Sequence, residues 1–147
     1  MKRLLHIGFQ FSGRWLRSKS GIECRIEENG DKKNILYSFI SEEEILYVGK
    51  TTRTLKKRMY GYQNPGPTQT TNTKGNQNIM NLLDSGREVE IYALPDNGLL
   101  HFGVFHVNLA AGLEDSIIST VNPVWNKTGR ANKAVVSIPL RAPRSTT

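Results

Sequence analysis

The chain has 147 residues, and its 20 lysines and arginines against 13 aspartates and glutamates give it a formal net charge of +7. This length suits one domain with one hydrophobic core, while the single cysteine, Cys24, excludes an internal disulfide and no apolar run reaches the ~20 residues that cross a bilayer. We therefore expect a cytoplasmic, single-domain protein without membrane contact, whose positive charge suits an anionic partner such as nucleic acid.

The first 33 residues predict an N-terminal β extension. Apolar and polar residues alternate over residues 6–12 and again over residues 22–26, which is the period of half-buried strands. Asn29-Gly30 is typical of a turn after the second of these strands. Residues 1–33 are therefore expected to supply two strands ahead of the main part of the domain.

Residues 34–40 and 44–49 predict a β-hairpin. Both runs are rich in β-branched and aromatic residues, and the polar segment 41–43 separates them. A three-residue loop sets Tyr37 directly opposite Tyr47 on one face of the hairpin, whereas a four-residue loop separates the two side chains. We expect the three-residue loop.

A short basic helix is predicted after the hairpin, with Thr52 or Thr54 as its N-cap. Its apolar stripe includes Leu55 and Tyr62. Arg58 lies three residues after the first and four before the second, so it shares the inward edge of the helix. This is an unusual position for an arginine that only interacts with solvent.

Polar and turn-forming residues fill the segment 63–76, which is predicted to be a loop. A short helix on the apolar stripe of residues 79–83 is expected to stop at Gly86. Alternating residues over 88–94 then predict a strand, which a turn at residues 95–98 ends.

The last predicted element is a helix from about Asn108 to Thr120. Glu114 falls within its apolar stripe, next to Leu113 and one turn before Ile117. A carboxylate that faces a core is paired, protonated or metal-bound. The basic segment 128–147 that follows is expected to be a tail that either contacts phosphate or is an irregular chain end.

These side chains supply the parts of a site that hydrolyses a phosphodiester. A divalent metal on Glu114 can stabilise the leaving group, and Mg²⁺ suits a single carboxylate because it keeps several waters. Arg58 offers a rigid fork for a phosphate oxygen. Tyr37 or Tyr47 can take the proton from the attacking water if neighbouring cations lower its pKa from about 10. The sequence therefore predicts a single-metal nuclease site.

The order of these residues resembles the GIY-YIG nuclease superfamily over residues 34–127. The matching positions are Tyr37, Tyr47-Val48-Gly49, Arg58, Tyr62, Glu114 and Asn126. The resemblance implies an α+β fold in which a small mixed or antiparallel sheet is flanked by helices. The sequence departs from the family pattern at Ile35, where glycine is expected. Because no large domain is attached, the chain is most similar to the compact restriction endonucleases and phage nucleases.

The resemblance also implies a role for each matching residue. Tyr37 is the general base, Tyr47 is a second active-site hydroxyl, and Arg58 binds phosphate. Glu114 is the sole ligand of Mg²⁺, for which Mn²⁺ can substitute. Asn126 is a structural or active-site hydrogen-bonding group, and the position of Tyr62 holds His or Tyr in the family.

DNA is the partner that the resemblance implies, with cleavage that leaves 5′-phosphate and 3′-hydroxyl ends. The basic residues expected to contact it are Lys50, Arg53, Lys56, Lys57 and Lys74. Restriction-type cutting is the favoured role. A phage or repair nicking nuclease and a non-catalytic basic nucleic-acid-binding domain are the alternatives, and a homodimer is left open.

Other interpretations of the single residues stay open. Strand tyrosines such as Tyr37 and Tyr47 are more often structural than catalytic. The stem of Arg58 can simply pack on its apolar neighbours, and Glu114 can form an internal salt bridge with Arg58. Lys50 either contacts phosphate or is only a solvent-exposed charge at the glycine turn.

Overall fold

The computed structural model describes residues 1–126, which adopt an α+β fold. In chain order its elements are α1 (Lys2–His6), β1 (Gln10–Arg17), β2 (Ile22–Ile26), β3 (Ile35–Ser41), β4 (Glu44–Thr51), α2 (Leu55–Gln63), α3 (Thr70–Asp84), β5 (Val89–Pro95), β6 (His101–Phe102), β7 (Phe105–His106), α4 (Leu109–Val121) and a 3₁₀ helix (Val124–Asn126). The first five strands form one antiparallel sheet in the order β2-β1-β5-β3-β4, whereas β6 and β7 form a separate hairpin. The predicted fold class is confirmed.

Helices cover both faces of the sheet. Residues that alternate along β3 face opposite layers, so Tyr37 packs with α2 and α3 while Leu36 packs with α1 and α4. Every residue of β3 is buried, which agrees with its mostly apolar sequence, in which Ser38 and Ser41 are the polar residues. Since β4 is an edge strand of the sheet, helices on both faces can contribute to a site beside it.

The β3–β4 hairpin is present, but its register differs from the predicted one. Its loop has two residues, 42–43, which both adopt positive φ as tight hairpin turns require. A β-bulge follows Phe39, so Tyr37 pairs with Gly49 and the expected pairing of Tyr37 with Tyr47 is wrong. The shorter loop and the bulge each move the register by one residue. Together they keep both tyrosines on the same face of the sheet.

The start of the chain is helical, so the prediction of a strand beginning near His6 is wrong. Leu4 anchors α1 in the apolar layer that also contains α4, and the first strand begins only at Gln10. This tertiary contact outweighs the short alternating pattern. The second predicted strand is confirmed as β2, and Asn29 lies in the following turn with positive φ.

The predicted loop over residues 63–76 is also wrong, because α3 already includes residues 70–76. The polar residues that indicated a loop are used for packing against α2. Asn72 is buried, and Gly75 lies against the ring of Tyr62, where an added Cβ would come within 2.7 Å of ring carbons. Tertiary contacts thus stabilise a helix whose first two turns have little apolar surface.

The other predicted elements are confirmed. Thr54 is the N-cap of α2, with its Oγ1 accepting a hydrogen bond of 3.2 Å from the amide of Lys57. Within residues 1–126, no helix is both long and apolar enough to cross a bilayer. The predicted basic tail, 128–147, lies outside the described residues.

Candidate active site

The close approach of Tyr37 to Gly49 explains the glycine of the Tyr-Val-Gly segment. The two residues pair across β3 and β4, and the ring of Tyr37 lies over the glycine. A Cβ on Gly49 would lie 2.7 Å from the Tyr37 hydroxyl oxygen and 2.9 Å from a ring carbon of Tyr47. The centroids of the two rings are 6.2 Å apart. Glycine is therefore required for both tyrosines to occupy this face together.

Arg58 is held by three neutral acceptors. Its Nε donates to the hydroxyl of Tyr37 at 3.1 Å, and its Nη2 donates to the hydroxyl of Tyr62 at 3.0 Å. Nη1 donates to Oδ1 of Asn72 at 2.7 Å, and the guanidinium lies 4.3 Å above the Tyr62 ring. In the part of the chain that the structure describes, no acid forms an ion pair with Arg58. Its charge is thus fixed in place without being neutralised, which suits anion binding.

The hydroxyls of Tyr37 and Tyr62 form the inner wall of this cluster, 2.7 Å from each other. Burial raises the pKa of Tyr37 well above its ordinary value, although the nearby Arg58 acts in the opposite direction. Burial also raises the pKa of Tyr62. Both phenols therefore stay protonated at neutral pH and can serve as hydrogen-bonding groups that orient Arg58.

A cleft of about 310 Å³ lies beside the edge strand β4. The side chains that matter to its chemistry are Tyr47, Tyr62, Lys74, Glu114, Trp125 and Asn126. Tyr47 is only half-buried, whereas Tyr37 is 1% exposed and does not line the cleft. The structure thus brings Tyr47 and Glu114 to the same cavity and leaves Tyr37 behind it.

Glu114 reaches this cleft from α4. The helix begins after Asn108, whose Oδ1 accepts a hydrogen bond of 3.2 Å from the amide of Ala111, and its buried residues pack on the sheet. The side chain of Glu114 is 21% exposed, and its Oε1 lies 3.5 Å from Nζ of Lys50. The internal salt bridge with Arg58 that the sequence left open is not formed, because Lys50 is the partner of this acid.

Glu114, the single carboxylate that the described residues contribute to the cleft, fits Mg²⁺ better than a metal that needs a closed set of protein ligands. Among residues 1–126, no cluster of three or more His, Cys, Asp and Glu side chains can hold a metal ion. A closed cage of protein ligands, as structural Zn²⁺ requires, is therefore not built here. One carboxylate with neutral oxygen donors nearby, such as Tyr47 and Asn78, suits an ion that keeps most of its waters.

Asn126 binds the backbone of β4. Its Oδ1 accepts from the amide of Val48 at 2.8 Å, and its Nδ2 donates to the carbonyl of Val48 at 2.9 Å. These are the hydrogen bonds that a further strand would make to an edge strand. Asn126 thereby fixes the segment that carries Tyr47 and Gly49, while it also lines the cleft.

A basic groove of about 450 Å³ adjoins the cleft and contains Arg58. Three of the predicted DNA-binding residues line it, namely Lys50, Arg53 and Lys57. Lys74 lines the cleft instead. Lys56 faces a different surface, where it lies beside Cys24 and Gln63 of a separate depression. The ion pair between Lys50 of the groove and Glu114 of the cleft shows that the two depressions are neighbours.

Asn72 is the site residue that the sequence did not indicate, because its segment was predicted to be a loop. Its side chain is buried and contacts Arg58 directly. A signal was present: positions 72, 76, 79 and 83 continue the apolar stripe of α3 backwards at helical spacing. Asparagine at two of these positions concealed the pattern.

The fold is similar to those of two solved structures. Bacteriophage T4 EndoII, as a Glu-to-Ala mutant, matches with a TM-score of 0.64 and 22% identity over 86% of this chain and 98% of that chain. The restriction endonuclease HPY188I in complex with product DNA matches with a TM-score of 0.49 and 18% identity over 80% and 76%. No protein-family model matches the chain, and no curated protein matches it significantly. The similarity to EndoII confirms the predicted α+β fold, in which helices flank a small antiparallel sheet.

Proposed function

We propose that this protein is a metal-dependent DNA endonuclease that hydrolyses phosphodiester bonds to 5′-phosphate and 3′-hydroxyl ends, with restriction-type cutting as its role. The proposal is carried by one observation: among the residues that the structure describes, Arg58 has no acidic partner and shares the basic groove with Lys50, which in turn pairs with Glu114 of the cleft. The groove therefore offers a site for a phosphate, and the neighbouring cleft offers a site for a cation. The similarity of the fold to EndoII supports the proposed endonuclease function and favours a phage nuclease as the alternative role.

Arg58 is the proposed phosphate-binding group. Three of its five N–H groups are used by Tyr37, Tyr62 and Asn72, which leaves two for a phosphate oxygen. Because the guanidinium is already fixed, little reorganisation is needed when negative charge develops on the phosphate. Such preorganisation is usually a large contribution to catalysis.

Glu114 is the proposed ligand of Mg²⁺ and Mn²⁺. The bound ion would supply Lewis-acid stabilisation of the departing oxygen. The nearby Lys50 shows that this carboxylate already attracts a cation. We infer that Lys50 turns to the DNA backbone when the ion and the substrate are bound.

We assign the role of general base, which accepts the proton of the attacking water, to Tyr47. Tyr47 lines the cleft together with Glu114, whereas Tyr37 is buried and its hydroxyl accepts a hydrogen bond from Arg58. Tyr37, which the resemblance implied as the base, instead orients Arg58. Asn126 holds the backbone next to Tyr47 and so fixes the position of the hydroxyl.

The basic groove is the proposed path of the DNA backbone. We expect Lys57→Ala to weaken binding of a labelled duplex and to reduce the log–log salt slope by about 1, since one phosphate contact is lost. Fluorescence anisotropy over a series of KCl concentrations measures this slope. Lys56→Ala is the matched control, because the neighbouring lysine faces another surface. Equal effects of the two substitutions would contradict the path.

Cleavage of long DNA tests the function itself. Supercoiled plasmid and a long linear duplex are incubated with Mg²⁺ or Mn²⁺, and the ends are mapped and tested for ligation. Discrete ligatable fragments are expected for restriction-type cutting. Scattered nicks would assign the phage or repair role instead, and binding without cleavage in either metal would assign the non-catalytic domain.

A further inference from the structure

Asn72 lies at the contact between α3 and the guanidinium of Arg58. It is 7% exposed, and its Oδ1 accepts the 2.7 Å hydrogen bond from Nη1 of Arg58. The two tyrosines hold the other nitrogens from the opposite side. Without Asn72, the Nη1 end of the guanidinium would have no protein acceptor among these contacts.

The amide of Asn72 is itself held in place. Its Nδ2 donates to Oε1 of Gln69 at 2.9 Å, and the same oxygen accepts from the amide of Gly66 at 2.9 Å. Room for the contact is left by Gly61, where an added Cβ would lie 3.3 Å from Nδ2 of Asn72 and 3.5 Å from Nη1 of Arg58. The turn before α3 therefore determines which way the amide oxygen points.

We propose that Asn72 is the positioning residue of Arg58: it fixes the guanidinium for phosphate binding without neutralising it. This inference rests on the proposed function. A carboxylate at this position would form the stronger, charge-assisted hydrogen bond but would compete with the phosphate for the same charge. A neutral amide oxygen gives orientation and leaves the charge to the substrate.

Asn72→Leu tests the proposal, because leucine has a similar size and no acceptor. We expect kcat for DNA cleavage to fall roughly 10- to 100-fold, the scale of a misplaced catalytic group, while KM changes less than about threefold. Asn76→Leu is the matched control. Asn76 also links α3 to α2, through a 2.9 Å hydrogen bond to the carbonyl of Tyr62, but does not contact Arg58. It should keep the wild-type kcat.

Coupling to Arg58 separates positioning from general destabilisation. In an Arg58→Lys background, Asn72→Leu should lower kcat by less than about twofold. The guanidinium that Asn72 positions is already absent from this background. A loss equal to that in the wild-type background would overturn the proposal. A wild-type kcat in Asn72→Leu itself would also overturn it.

Side-chain ¹⁵N NMR of Arg58 gives a readout that does not depend on cleavage. The wild type and Asn76→Leu should show resolved Nη signals, and Asn72→Leu should lose them as the guanidinium rotates freely. Asn72→Asp should keep these signals, because the acceptor is retained, yet cleave as poorly as Asn72→Leu. Retained Nη signals in Asn72→Leu would overturn the inference even if the wild type proves inactive on DNA, an outcome that would refute only the proposed function.

Discussion

Replacing Glu114 with glutamine is expected to lower Mg²⁺-dependent DNA cleavage by roughly 1,000-fold while duplex binding persists. Glutamine keeps the shape of the side chain and removes the charge that would hold the cation, so the electrostatic stabilisation of the leaving oxygen is lost. The ion pair with Lys50 is lost as well, but Lys50 is 48% exposed and such pairs contribute little to stability. Single-turnover cleavage over a Mg²⁺ series and fluorescence anisotropy on the same duplex measure the two properties.

The neighbouring acid provides the control for Glu114. Asp115→Asn removes the same charge from the same helix, at an exposed position that does not line the cleft. It should cleave DNA at the wild-type rate. If Glu114→Gln retains activity within about fivefold of wild type, or if both substitutions lower activity equally, Glu114 is not the metal ligand.

The elements that carry the site could be predicted because their sequence patterns are local. The strand preferences of β3 and β4 and the glycine of Tyr47-Val48-Gly49 identified the hairpin, and helical spacing placed Arg58 on an inward edge. The same spacing placed Glu114 near the core side of α4, where it is indeed half-buried. Such patterns follow from the regular geometry of strands and helices, so they can be recognised without knowledge of tertiary contacts.

The register of the β3–β4 hairpin and the tertiary contacts of the site residues could not be predicted in the same way. The two-residue loop and the bulge after Phe39 together shift the partner of Tyr37 from Tyr47 to Gly49, and nothing in the local sequence marks the bulge. The start of α3 depends on contacts of Asn72 and its neighbours with α2, which are tertiary. The burial of Tyr37 likewise follows from the helices above it, and this burial is what shifts the proposed base to Tyr47.

Removing single hydroxyls distinguishes the tyrosines of the site. Tyr60→Phe is the control, since Tyr60 is 62% exposed on α2 and does not line the cleft. It should leave cleavage unchanged. Tyr37→Phe removes a hydrogen bond to Arg58 and one to Tyr62. We expect a loss of about tenfold in kcat, because Arg58 keeps two of its three acceptors.

Tyr47→Phe is expected to have the larger effect, a loss of at least ~100-fold in kcat, which is typical for a positioned proton acceptor. Tyr47 lines the cleft together with Glu114. Phenylalanine leaves the ring stacked on Phe39, with 5.8 Å between the centroids, so the fold should be preserved. Single-turnover rates and thermal melts of the variants measure activity and folding separately. If Tyr37→Phe loses more activity than Tyr47→Phe at equal stability, proton acceptance belongs to Tyr37, and its burial must be relieved when DNA binds.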